Sequence, residues 1–137
     1  MRAIRLLGVL ILLLFLSACG DEKKIEPAYL DVSAYQGDRQ EVLKMVNKRV
    51  EYFNNRDNKL YPTIFTADSS QNDIGAYKGI DTKIIAVSNP RWLGESEHQV
   101  TVYIREEYKD SPNGEFGDTM YTLFKQEDGS WLIDNLD

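Results

Sequence analysis

The chain is predicted to fold as an α+β domain, with N-terminal helices packed on one face of an antiparallel sheet. Two observations support this class. Between Asp38 and Phe65, apolar residues recur every three or four positions, which is the spacing of a helix with one buried face. After Gly79 the period changes to two, and turn residues separate the alternating runs. Helices followed by a meander of strands are typical of α+β domains.

The first helix is predicted to begin at Asp38. Asp38 and Glu41 stand three positions apart, as in a capping box. A single apolar stripe follows at helical spacing and consists of Val42, Met45, Val46, Val50 and Phe53. The polar run that ends at Asp57 closes this helix. Asp57 is then placed to cap a shorter second helix that runs towards Phe65, with Pro62 in its first turn.

Four strands are predicted: Lys83–Ser88, Gln99–Tyr108, Asp118–Gln126 and Trp131–Leu136. In the second strand, alternation places Val100, Val102 and Ile104 on one face and Thr101, Tyr103 and Arg105 on the other. Asp128 and Gly129 form the tight turn before the last strand. Trp92 is predicted to lie in a loop between strands, and Glu106 and Glu107 at a solvated strand end.

The N-terminus has the pattern of a bacterial export signal. Arg2 and Arg5 precede an apolar run from Leu6 to Leu16, which is too short for a comfortable transmembrane helix. The run ends in Leu-Ser-Ala-Cys, residues 16–19, which resembles the lipobox of bacterial lipoproteins. The resemblance implies that the chain is cut before Cys19 and that Cys19 is lipidated. We therefore expect a signal peptide over residues 1–18, a lipidated cysteine and tether over 19–37, and a domain over 38–137. Within the tether, residues 28–37 are expected to form either a short helix or an arm against the domain.

Charge limits the classes of partner. Removal of the signal takes away two arginines and leaves 14 basic against 22 acidic residues, so the formal charge changes from −6 to −8. Nucleic-acid binding is not expected, because it depends on basic residues that neutralise phosphates. An acidic domain is not drawn to anionic lipid either. We expect the lipid on Cys19 to hold the protein at the bacterial cell membrane, with the domain on the extracytoplasmic side.

Three stretches resemble the nuclear transport factor 2-like superfamily, which some schemes call cystatin-like. They are Val50–Asp57 (VEYFNNRD), His98–Tyr108 (HQVTVYIREEY) and Asp128–Asp137 (DGSWLIDNLD). The resemblance implies a curved antiparallel sheet around a long N-terminal helix, with a cone-shaped cavity between them. The fold hosts enzymes, ligand binders and interaction modules, so it does not decide function.

The resemblance implies that an enzyme of this fold would use an Asp or His with tyrosines inside the cone. The candidates are His98, Asp134, Tyr103 and Tyr121. We expect His98 to be an exposed strand-end residue and Asp134 to face solvent or cap the C-terminus. The tyrosines are expected to be wall or sheet-surface residues. No catalytic residue is assigned. One histidine and one cysteine do not provide the common zinc-ligand sets, and we expect neither a metal nor a cofactor.

Four residues are predicted to form a binding surface: Trp92, Tyr103, Arg105 and Tyr121. Tryptophan, tyrosine and arginine are enriched at protein interfaces. Tyr103, Arg105 and Tyr121, with Leu123, would fall on related faces of neighbouring strands if the register allows, either on the outer sheet face or lining the cone. Trp92, in its loop, would either fold back on the core or contact a partner. The resemblance implies that the outer face often forms a dimer, so a homodimer is one expectation.

The sequence thus favours a non-enzymatic, lipid-anchored envelope protein that binds a protein partner or a small apolar ligand. Two alternatives stay open. One is a small isomerase or dehydratase that uses Asp134 or a tyrosine in the cone. The other is an accessory subunit of an envelope complex, such as a secretion or cell-wall assembly.

Overall fold

The computed structural model describes residues 26–69 and 81–137, and it confirms the α+β class. One helix, α1 (Gly37–Asn55), packs on a four-stranded open antiparallel sheet of order β1-β2-β3-β4. The strands are β1 (Lys83–Glu95), β2 (Gln99–Lys109), β3 (Phe116–Lys125) and β4 (Trp131–Leu136). Two short 3-10 turns, Val32–Ala34 and Tyr61–Ile64, flank the helix.

The core lies between α1 and the sheet face that we call the inner face. The apolar stripe of α1 is buried there, as the helical spacing predicts, and Val42, Val46 and Val50 are fully buried. In β2 the predicted alternation is also confirmed. Val100, Val102 and Ile104 are buried on the inner face, and the residues between them lie on the opposite, outer face. The matching inner-face residues of β3 and β4 are Tyr121, Leu123, Trp131 and Ile133.

The predicted start of the helix is wrong by one residue, and the predicted cap is absent. The helix begins at Gly37, and its N-cap residue, Gln36, makes no side-chain cap hydrogen bond. The carboxylate of Asp38 instead accepts hydrogen bonds from Lys125 Nζ at 2.9 Å and Trp131 Nε1 at 3.2 Å. Contacts with the sheet therefore replace the local cap. They lower the pKa of Asp38, chiefly through the Lys125 hydrogen bond and then through that of Trp131.

Strand β1 is longer than the sequence indicates, so Trp92 lies in a strand and not in a loop. Pairing with β2 continues past Asn89 and Pro90 to Glu95, with irregularities on both sides of Arg91 and Trp92. Asn89 adopts a positive φ of 50° where the register shifts. Proline is tolerated here because β1 is an edge strand, where its missing N–H leaves no ladder bond unmade. A turn signal in the sequence thus marks a β-bulge in this chain.

The predicted second helix is reduced to a single 3-10 turn. Asp57 does not cap it, because the N-cap residue of this turn is Leu60, which makes no side-chain cap hydrogen bond. The Asp57 carboxylate instead accepts the backbone N–H groups of Lys59 and Leu60, at 3.0 and 2.9 Å, in the stretch that leads into the turn. Pro62 stands in the first turn of Tyr61–Ile64, and the chain becomes extended at Phe65. There it forms a parallel bridge with Ile133 on the free side of β4.

The residues before α1 form an arm that packs against the domain and then a short 3-10 turn. The backbone N–H of Ala28 donates to the Ile85 carbonyl, and the N–H of Val87 donates to the Ala28 carbonyl, both at 2.9 Å. The side-chain amide of Asn47 in α1 bonds both the N–H and the carbonyl of Leu30 at 3.0 Å. The arm is thereby attached to the sheet and to the helix.

Cys19 and the predicted signal peptide lie outside the described residues. The polar stretch Thr66–Asp73 is predicted from its sequence to be a loop, and its second half, residues 70–73, also lies outside them. Of the helices in residues 26–69 and 81–137, none is both long and apolar enough to span a bilayer.

Candidate functional site

A buried polar cluster joins α1 to the inner face of the sheet. It consists of Arg49, Glu106, Tyr108 and Tyr121. Nη1 of Arg49 donates to Oε1 of Glu106 and to the hydroxyl of Tyr121, both at 2.6 Å. The Tyr121 hydroxyl donates to the same Glu106 oxygen. The Tyr108 hydroxyl donates to the other carboxylate oxygen at 2.5 Å.

Glu106 contradicts the prediction of a solvated strand end, because its side chain is fully buried. The signal was present in the sequence: the period of two that directs Val102 and Ile104 inwards also directs Glu106 inwards. Arg49 was not predicted to be buried either, because it is charged. It nevertheless lies within the buried stripe of α1, one position before Val50. In each case a charged residue occupies a position that the helix or strand repeat assigns to the core.

The environment of the cluster keeps Arg49 and the two tyrosines in their ordinary charge states. Burial alone lowers the pKa of Arg49, but the charge of Glu106, and that of the nearby tyrosines where they ionise at high pH, outweighs this effect, and the net shift is upward. Burial raises the pKa of Tyr121 well above its usual value. Burial and then the charge of Glu106 raise the pKa of Tyr108 to about 12. Near neutral pH both phenols are therefore neutral and Arg49 is charged, with its guanidinium 2.6 Å from the Glu106 carboxylate.

This arrangement is better suited to holding the fold together than to proton transfer. Both carboxylate oxygens of Glu106 already accept hydrogen bonds, and Arg49 balances the charge. One buried polar side-chain atom in the described residues, Nε of Arg49, has no hydrogen-bond partner. A buried carboxylate that is paired and hydrogen-bonded offers no free oxygen to a substrate.

The raised pKa of Tyr108 predicts a loss of stability at high pH. The phenol has its ordinary pKa of 10.0 in the unfolded chain and a pKa of about 12 in the folded protein, so its contribution is complete below pH 10 and is lost as the pH rises towards 12. We expect the urea midpoint of the protein to fall across this range, and to fall less steeply in Tyr108→Phe. Equal pH slopes in the two proteins would contradict the assignment.

A second cluster, which we call the outer-face cluster, lies on the opposite side of the sheet. It spans three strands and consists of Arg91, Tyr103, Arg105, Phe116 and Asp118. Arg91 Nη2 donates to Asp118 Oδ2 at 2.8 Å, and Arg105 Nη1 to Oδ1 at 3.5 Å. The Arg91 guanidinium lies 5.2 Å from the ring centre of Tyr103, and that of Arg105 lies 4.4 Å from Phe116. Phe116 is 60% exposed.

The structure brings together only two of the four residues predicted to form one binding surface. Tyr103 and Arg105 lie two apart in β2 and share the outer face. Tyr121 pairs with Val102, so it points inwards and is fully buried. Trp92 also pairs with Val102 from the other side, and it is half-buried on the inner face. The strand register therefore places Tyr103 and Arg105 on one face and Tyr121 and Trp92 on the other. This register could not be known from the sequence.

Trp92 lies in a different environment from the one predicted. Its ring packs 6.2 Å from that of Tyr35, and the Arg39 guanidinium stacks over it at 4.9 Å. Arg39 also pairs with Glu95 at the end of β1. The tryptophan thus fastens the start of α1 to the end of β1, which is the core alternative for this residue.

The two non-tyrosine catalytic candidates do not converge on a site. His98 precedes β2, and its side chain is 77% exposed, so the expectation of an exposed strand-end residue is confirmed. Asp134 is half-buried and accepts a hydrogen bond from Thr66 Oγ1 at 2.7 Å, so it holds a loop to β4.

A groove of about 690 Å³ lies beside the β2–β3 connection. Tyr108 and Phe116 contribute aromatic surface to it, and its charged lining residues are Glu107, Lys109, Asp110 and Glu115. This mixed lining does not match a small apolar ligand, which favours pockets with predominantly hydrophobic walls. In the part of the chain that is described, no three His, Cys, Asp or Glu side chains are grouped so that they could hold a metal ion.

No protein-family model and no curated protein sequence matches this chain. Its function therefore has to be inferred from the buried polar cluster and the outer-face cluster.

Proposed function

We propose that this protein is a lipid-anchored bacterial envelope protein whose domain binds another protein through the outer face of its sheet. The observation that supports this is the outer-face cluster, in which two arginines are held against aromatic rings on a sheet face that α1 does not cover. Arginine and aromatic residues are the types that most often dominate binding energy at interfaces. Side chains held in place before binding lose less entropy when a partner docks.

The interior of the domain has less space and fewer available polar groups for a ligand than this face has. The inner face and α1 fill the space between them with fully buried side chains, including Leu43, Ile104 and Leu123. The buried polar cluster is internally neutralised. Nothing observed in the described residues favours the isomerase or dehydratase alternative, because Asp134 and Glu106 both have structural partners. An accessory subunit of an envelope complex remains compatible with a binding face.

The fold superfamily is also part of this proposal. We infer a nuclear transport factor 2-like arrangement, supported by the long N-terminal helix, the antiparallel meander and the bulges that interrupt β1. Bulges bend the strand that contains them, as a curved sheet requires. In this chain the volume beneath the sheet is packed with side chains, so the cone is not where we place the binding function.

A partner is expected to dock on the face of the sheet and not at its edges. Ala28 occupies part of the free side of β1, and Pro90 and the bulges disrupt the rest. On the other edge, Phe65 bridges to Ile133 in the short strand β4. Such features are the ones by which natural proteins prevent strands from adding to a sheet edge.

The lipid anchor is a separate prediction with its own test. Cys19→Ala is expected to leave an uncleaved precursor that incorporates no fatty acid, because the thioether needs the cysteine sulfur. Metabolic labelling with a fatty-acid analogue, followed by mass measurement of the N-terminal peptide, checks this. Label on the variant, or a cysteine-containing chain cut elsewhere, would show that Cys19 is not the attachment site.

Site-specific photo-cross-linking tests the binding face. A benzophenone amino acid at Phe116 is expected to give one discrete adduct with another protein in the native bacterium. The matched control is the same group at Tyr29, an aromatic that is 45% exposed and lies near Glu51 of the helix. Adducts from Tyr29 but not from Phe116, or from neither, would count against the outer face as the binding surface.

A further inference from the structure

The outer face carries positive charge on a protein that is otherwise acidic. By register, the charged side chains that share this face are basic at Lys83, Arg91, Arg105 and Lys109. They are acidic at Glu107, Asp118 and Asp137, the last of which pairs with Met120 of the same face. Four basic side chains against three acidic side chains leave a surplus of one positive charge. The chain as a whole has a formal charge of −6. The outer face is therefore electrostatically distinct from the rest of the molecule.

The surplus is concentrated at the centre of the face. Arg91 and Arg105 share one carboxylate, that of Asp118, so one positive charge there has no local partner. The side chains of both arginines are more than a third exposed, at 62% and 38%. Each guanidinium has five N–H donors, and the pairing with Asp118 uses few of them. A second carboxylate is what this pair of arginines can still bind.

Apolar groups surround these charges and complete a binding surface. Phe116 is mostly exposed, and Tyr103, Met120 and Phe124 are half-buried on the same face. Rings that stack on the guanidinium groups hold them in place and leave their edges directed outwards for hydrogen bonds. The surface therefore combines fixed cations with apolar contacts.

We infer that the outer-face cluster binds an acidic segment of a partner protein, with partner carboxylates on Arg91 and Arg105 and partner apolar side chains against Phe116 and Met120. This inference rests on the proposed function, and it adds the chemistry of the partner. Charge complementarity across such a face raises the association rate and rejects basic partners.

A second copy of this chain fits the same face poorly. A two-fold interface places the same patch on both subunits, so the positively charged patch of one copy would face that of the other. With one shared carboxylate per pair of arginines, such an interface would bring surplus positive charges together. An acidic segment removes this repulsion, whereas a homodimer through the outer face would create it.

The test measures binding of a probe peptide to the full-length lipoprotein in detergent. The probe is a fluorescein-labelled peptide of alternating glutamate and tyrosine, followed by anisotropy at low salt; its counterpart has lysine for glutamate. We expect the glutamate peptide to bind and the double variant Arg91→Glu with Arg105→Glu to weaken it about tenfold or more. The matched control, Lys44→Glu with Lys48→Glu, makes the same charge change on the exposed side of α1 and is expected to have little effect.

Each other outcome overturns the inference. Equal weakening by both double variants would show a general charge effect, and failure of the glutamate peptide to bind would remove the proposed chemistry. Sedimentation that shows a dimer broken by Arg91→Glu would identify the occupant as a second copy. Should the double variant not fold, Arg91→Gln with Arg105→Gln removes the charges without reversing them. If Phe116 still cross-links to a protein while the peptide does not bind, the binding face stands and only the acidic partner is rejected.

Discussion

Replacement of Arg49 by methionine is expected to destabilise the protein by about 3–5 kcal/mol, because it leaves the Glu106 carboxylate buried without its countercharge. Arg49 supplies the one cation that contacts Glu106 among the described residues, at 2.6 Å, and it also donates to the Tyr121 hydroxyl. A domain of this size has a total stability of roughly 5–15 kcal/mol. The variant should therefore unfold at a much lower urea concentration than the parent protein.

Two further variants separate the ion pair from the rest of the helix. Lys48→Ala changes the neighbouring, exposed position and is expected to alter stability by less than about 0.5 kcal/mol. The double variant Arg49→Met with Glu106→Leu should recover most of the loss, because buried ion pairs replaced by apolar groups of similar volume are often neutral. If Arg49→Met cost no more than Lys48→Ala, the buried pair would not be a determinant of stability.

Trp131→Ala is expected to cost about 3–5 kcal/mol, through lost burial and the cavity left behind. Trp131 is 2% exposed at the first position of β4 and is among the largest fully buried side chains. Its Nε1 donates to Asp38, and the Lys125 ammonium lies 5.6 Å from the ring centre. Removal of the ring therefore loosens the start of α1 as well as the core. Urea unfolding followed by far-ultraviolet circular dichroism measures the change.

The second tryptophan of the chain provides the matched control. Trp92 is half-buried, and it packs against Tyr35 and Arg39 at the rim of the core. Trp92→Ala is expected to cost clearly less than Trp131→Ala, because less apolar surface returns to water. The reverse order of stability would mean that the rim contacts at Trp92, and not the core contacts at Trp131, hold α1 to the sheet.

The spacing of apolar residues in the sequence predicts secondary structure well wherever helix or strand geometry alone determines that spacing. Periods of 3.6 and 2 correctly identified α1 and the residues of β2 that share a face, because these periods follow directly from the helix and the strand. The Asp128–Gly129 turn correctly located the start of β4. The same period of two placed Glu106 on the inner face, but its charge suggested solvent. Turn-forming residues were a less reliable guide. Asn89 and Pro90 suggested a loop before Trp92, but on this edge strand they form a bulge.

The buried polar cluster could not be derived from local pattern, because its members are far apart in the chain. Arg49 and Glu106 are separated by 57 positions, and each is an acceptable core residue only because the other is present. The outer-face cluster required the register of three strands, which joins Arg91 to Tyr103 and Arg105 to Asp118. A shift of one residue in that register would exchange the two faces.

The sequence by itself determined the fold class, the order of the elements and the division of residues 100–105 of β2 between two faces, and it predicts the export signal at Cys19. These depend on composition and on short-range periodicity. Only the tertiary structure decided which charged residues enter the core and which arginines and aromatic rings meet on the outer face. Those outcomes depend on partners that distant segments supply, and the free energy of a buried charge or a shared carboxylate is set by such partners.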